Sequence, residues 1–167
     1  MLIRGRCTVK QSTLAKWLKV IALLVAVMGA VIFFVVMPVL GRQVLIFDGK
    51  NDFMFMPILI FVWMMAVPFY IADARFFMIG VEIGRDNSFS AVNIRSLDII
   101  GRMAIFDVIA LFAGGVALYF MGMLNAAALL ISLFVCIVGL TVSIICAALG
   151  HLVQKAIDLK EENDLTI

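Results

Sequence analysis

The chain has 167 residues, 65% of them hydrophobic and only 14% charged, with a formal net charge of +2. A soluble domain is about half apolar and about a quarter charged, so a soluble globule of this size is excluded. The small net charge carries no information by itself, and the distribution of the basic residues along the chain has to carry the argument instead.

Residues 1–16 hold Arg4, Arg6, Lys10 and Lys16 ahead of an apolar run, with Lys19 just beyond. No charge interrupts Val20 to Leu40. That run is longer than the core of a signal peptide and lacks a small-residue cleavage pattern, so it reads as a retained first span over residues 17–40. Trp17 and Lys19 suit the interface, and Pro38 marks the far end. A loop over residues 41–52 follows. The second span covers residues 53–80, with Pro57 in its first turn and Pro68 inside it, where a kink is expected.

Residues 81–100 form the polar stretch between spans, rich in Gly, Asn, Asp and Ser. Within it Ser90 is placed to cap a short amphipathic helix from Ala91 to Asp98, whose Val92, Ile94 and Leu97 suit it to the membrane surface or to a partner. From Met103 to Gly150 Asp107 is the one formally charged residue. The block is too long for one crossing and fits two, residues 101–124 and 126–150, with a turn near Gly122 to Asn125. The stripe Leu149, Leu152, Val153, Ala156 and Leu159 continues the fourth helix into a charged segment over residues 151–167. The expected class is all-α: a four-helix transmembrane bundle. Eleven of the thirteen lysines and arginines fall on the side shared by both termini, so both ends are expected in the cytoplasm.

In lipid, helices associate through small residues and a few hydrogen bonds. The fourth span offers Ser132, Cys136, Gly139, Ser143 and Ala147, and the third offers Ala110 and Gly114. Asp107 shares the face of Ala110 and Gly114 and is expected to point into the bundle, since an acid in hydrocarbon costs on the order of 3 kcal/mol. Arg75, Arg102 and His151 are its expected polar neighbours near the cytoplasmic rim. Three scattered cysteines and a single histidine give no metal cage, and no nucleophile–base pair or phosphate-binding glycine loop can be assembled. Neither enzyme nor cofactor is expected, and direct nucleic-acid binding is not expected either. The closing segment Ala156 to Ile167 carries Asp158, Glu161, Glu162 and Asp164 against one lysine and ends in Leu165 and Ile167, the composition of an acidic docking peptide.

Two segments resemble a known group. The run Phe89-Ser90-Ala91-Val92-Asn93-Ile94-Arg95-Ser96-Leu97 with Ile100-Gly101, and the ending Ala156-Ile157-Asp158-Leu159-Lys160-Glu161-Glu162-Asn163-Asp164-Leu165-Thr166-Ile167, are similar to domain-of-unknown-function family 2975, bacterial four-helix membrane proteins. Ser96 and Asp98 depart from the more basic loop usual there. The resemblance implies the bacterial inner membrane, and the family has no established enzymatic activity. It also implies a partner, because members are often encoded beside a small helix-turn-helix DNA-binding protein of the repressor type. The expected function is then regulatory: Ser90, Asn93, Ile94, Leu97, Leu159, Glu161, Glu162, Asp164, Leu165 and Ile167 form a cytoplasmic platform that holds and antagonises that protein. The alternative is a small transporter or channel subunit, a homo-oligomer with Asp107 on its pathway.

Overall fold

The computed structural model describes residues 11–47, 52–85, 90–122 and 126–164. Among them the chain is all α-helix with no strand, in the order α1 (Gln11–Val31), a π-helical segment (Ile32–Val36), α2 (Met37–Phe47), α3 (Asp52–Gly84), α4 (Ala91–Phe120) and α5 (Ala126–Asp164). The first three are one continuous rod. Four helices are therefore long and apolar enough to cross a membrane, over Thr13–Arg42, Phe55–Gly84, Ala91–Phe120 and Ala128–Leu159. The chain is a membrane protein built as a four-helix bundle.

The helices pack in chain order as an open row. α1 lies against α3, α3 against α4 and α4 against α5, while among the described residues α1 approaches neither α4 nor α5 and α3 does not approach α5. Neighbours run antiparallel, so the start of α1, the end of α3, the start of α4 and the end of α5 share one end of the molecule, called here the Ser90 end.

Small residues set each contact. On α1, Ala15 and Ala22 are almost fully buried, and Gly29 continues the same face at the same spacing of two turns. A Cβ on Gly29 would stand 2.6 Å from the Phe69 ring, and one on Gly84 would stand 3.2 Å from the Ala15 Cβ. This stripe escaped the sequence reading, which looked for small faces only on the last two spans. Between α4 and α5 the contact runs Leu97 with Gly150, Gly101 with Ser143 and Cys146, Val108 with Gly139, and Gly115 with Ser132. Ser132, Cys136, Gly139 and Ser143 thus face α4 as their spacing suggested. Ala147 is exposed, and Gly114 meets Phe61 of α3 rather than α5.

The π segment has a clear partner. A π turn widens the helix and disturbs its hydrogen-bond ladder, and the Trp63 indole N–H donates across the interface to the Phe33 carbonyl at 3.2 Å. Two turns along, the Tyr70 hydroxyl donates to the Ala26 carbonyl at 3.2 Å. Trp63→Phe keeps the ring and removes the donor. It is expected to lower stability by about 0.6 kcal/mol, the average for interhelical hydrogen bonds in bilayers, as read from reversible unfolding in detergent.

The link between α3 and α4 corrects the expected layout. α3 continues past Gly80 to Gly84, and Ala91 to Asp98 is no separate surface helix but the first two turns of α4. Ser90 is the N-cap as expected, its hydroxyl accepting from the Asn93 amide at 3.3 Å. Nothing after it stops the helix. Gly101, the one potential breaker, is buried against Ser143 and Cys146, where even an added Cβ would make only ordinary contacts at 3.6–3.7 Å. At the other end Gly122 takes a positive φ of 69°, the left-handed geometry that ends a helix, in the expected turn. Residues 123–125 of that turn lie outside the described residues. α3 stays helical through both Pro57 and Pro68.

Candidate functional site

Helix capping explains why the start of α4 is internal. Ser90, Asn93 and Ser96 are spaced by three residues along one side, and all three are buried at 8%, 3% and 1% exposure. Ile94 and Leu97 are half-buried, with Leu97 turned to Gly150 of α5. The expected loop half of a docking platform is therefore packing between helices. Its polar residues went inward because their continuation into α4 places them on the faces that meet α3 and α5.

The other half is different. α5 is 39 residues long, roughly 58 Å at 1.5 Å per residue, well over the roughly 30 Å hydrocarbon layer. Beyond Gly150 it has Val153 and Ile157 half-buried, whereas Leu152 is 60% and Leu159 58% exposed. These two leucines are seven residues apart and share a face. Lys155, Asp158 and Glu162 are exposed on the same rod, and Gln154 donates to Asp158 Oδ1 at 2.8 Å, one turn on. Glu161 and Asp164 belong to α5, but their side chains, with Leu165 and Ile167, lie outside the described residues.

The expected intramembrane polar group does not assemble. Arg102 holds Asp98 of its own helix, at 2.8 Å from Nη2 to Oδ2 and 3.1 Å from Nε to Oδ1, on the exposed side of α4. Arg75 directs Nη1 to the Met78 sulfur at 3.9 Å. His151 is exposed, and the register set by Leu97 with Gly150 and Val108 with Gly139 puts it about eleven residues, roughly 16 Å, from the level of Asp107.

Asp107 itself sits deeper than expected. Because α4 begins at Ala91 rather than near Gly101, Asp107 is in the middle of a 30-residue helix instead of its second turn. The side chain is half-buried, and Oδ1 is fully buried with no hydrogen-bond partner among the described residues. Ser96 Oγ is buried without a partner as well. No group of three or more metal-ligating side chains occurs among the described residues.

Comparison with known proteins agrees with the membrane architecture. The family described as Protein of unknown function (DUF2975) matches residues 49–167. The chain is also similar to the Uncharacterized membrane protein YoaS of Bacillus subtilis (strain 168), at 30% identity over 112 residues that cover 66% of this chain and 70% of that protein. No solved structure matches the chain.

Proposed function

We propose that this chain, which belongs to the family of unknown function DUF2975, is a membrane-anchored regulatory protein whose projecting α5 helix docks and restrains a small helix-turn-helix DNA-binding protein. The observation that carries the reading is the unbroken course of α5 from Ala126 to Asp164 with Leu152 and Leu159 bare on one face. Past Ile157 the helix is exposed at Asp158, Leu159 and Glu162, and that end has to be supported by lipid headgroups, by water or by another protein. Exposed leucines at a two-turn spacing favour the protein, in the manner of a helix laid into an apolar groove. Asp158 and Glu162 beside them complement the basic surface that such a partner turns to DNA phosphates, so docking and DNA binding compete.

The same reading puts the Ser90 end in the cytoplasm of a bacterial inner membrane. Arginine and lysine crowd that end, as the positive-inside bias requires. A cytoplasm-dependent fluorescent reporter fused after Ile167 is expected to be active, and activity only of a periplasmic reporter would reverse the orientation.

The docking surface has its own test. The double substitution Leu152→Asp and Leu159→Asp is expected to leave insertion and helix content unchanged and to cut co-purification of the neighbouring regulator by at least about tenfold, the loss of one apolar anchor pair. Undiminished recovery refutes the surface.

A further inference from the structure

One contact sets the register of α3 on α4 near Asp107. Phe61 of α3 packs directly on Gly114 of α4. Seven residues are two turns and return to the same face of a helix, about 10 Å along its axis. The two helices are antiparallel, so a step of seven up α3 and seven down α4 moves the same way in both. That step leads from Phe61 to Pro68 and from Gly114 to Asp107. Pro68 is buried, and Asp107 Oδ1 is buried without a donor among the described residues.

Proline has no N–H, so Pro68 leaves the Met64 carbonyl, one turn below it, without its helical partner. In hydrocarbon such a carbonyl needs another partner. The group opposite is a carboxyl, whose oxygens in the ionised form only accept. Two acceptors cannot hydrogen-bond to each other, and in a layer without bulk water a positive particle between them resolves the conflict.

We propose that the Asp107 carboxyl and the Met64 carbonyl freed by Pro68 form a monovalent-cation site, for a proton or a sodium ion, in the middle of the membrane-spanning layer. The charged groups of the neighbouring helices lie at other levels. Asp73 and Arg75 are five and seven residues from Pro68 toward the Ser90 end, and on α5 His151 is twelve residues from Gly139. The nearest thiol, Cys136, donates to the Val108 carbonyl at 3.7 Å. Carbonyls of an interrupted helix paired with an acid are a chemistry that membrane proteins use for such ions. Binding requires no transport, and failure of this site leaves docking through α5 untouched, because the two are read in separate measurements.

The test uses the full chain in vesicles, with the apolar reagent dicyclohexylcarbodiimide, which forms stable adducts with membrane-embedded carboxylic acids, and mass spectrometry to locate them. Asp107 is expected to label in choline chloride. A rate about tenfold slower in sodium chloride, the protection expected near nine-tenths occupancy, identifies sodium; equal rates in both salts identify the proton. Pro68→Ala returns an amide to the Met64 carbonyl and is expected to change the labelling rate or the sodium protection of Asp107 by about tenfold. Asp98→Asn, an exposed acid of the same helix, is expected to behave as wild type. Absence of an Asp107 adduct in the wild type, or a Pro68→Ala protein indistinguishable from it, overturns the proposal.

Discussion

Gly139→Ile is expected to separate α5 from the rest of the molecule. A Cβ at Gly139 would stand 2.6 Å from Val108 Cγ2 and 3.8 Å from the Ala104 carbonyl. Valine in a helix is held to essentially one χ1 rotamer, so that methyl has nowhere to turn, and the two backbones have to move apart. α4 is the one helix that α5 touches among the described residues, so no second interface holds it. Overpacking of this kind costs about 3 kcal/mol, to be read from reversible unfolding in bicelles and from cross-linking across the interface. Gly150→Ala is the control. There an added Cβ meets Leu97 Cβ at an ordinary 4.0 Å, and the change is expected to be neutral or to stabilise by up to about 1 kcal/mol through helix propensity. Equal stabilities for the two variants would contradict the register of α4 on α5.

Gln154→Pro is expected to break the last stretch of α5, where its cover thins to Val153, Ala156 and Ile157. Proline at this position removes the amide that serves the Gly150 carbonyl and drives its ring into that turn, at a cost of about 3 kcal/mol. Upstream, α5 is held by α4 through Gly150, Cys146, Ser143 and Gly139. Downstream, cover thins to Val153, Ala156 and Ile157 while Leu152 and Leu159 are bare, and a segment this short is marginal as an isolated helix. The disturbance therefore spreads toward Asp164. Circular dichroism is expected to lose roughly the last three turns of helix, and recovery of the regulator is expected to fall at least about tenfold, while Gln154→Ala preserves both. Full recovery with the proline in place would show that an ordered docking helix is unnecessary.

The sequence alone determined that there are four helices, that they are long and apolar enough to cross a membrane, that Ser90 caps one of them and that the fourth continues helically into the charged segment. Each is a local property. Uninterrupted apolar length is read residue by residue against the thickness of the hydrocarbon, and a cap is settled within four residues. Apart from the Ser132, Cys136, Gly139 and Ser143 face of α5, which its small-residue spacing already marked, only the tertiary structure decided which faces meet. A helix that is apolar all round carries no stripe to say where its neighbour lies, and lipid supplies no force that sorts oily faces from one another. So the row of α1, α3, α4 and α5, the Ala15, Ala22 and Gly29 seam, and the placement of Phe61 on Gly114 stayed hidden until close packing chose among equally apolar surfaces. The same choice turned Asn93 and Ser96 inward and buried one oxygen of Asp107 in the middle of α4, away from the arginines expected beside it.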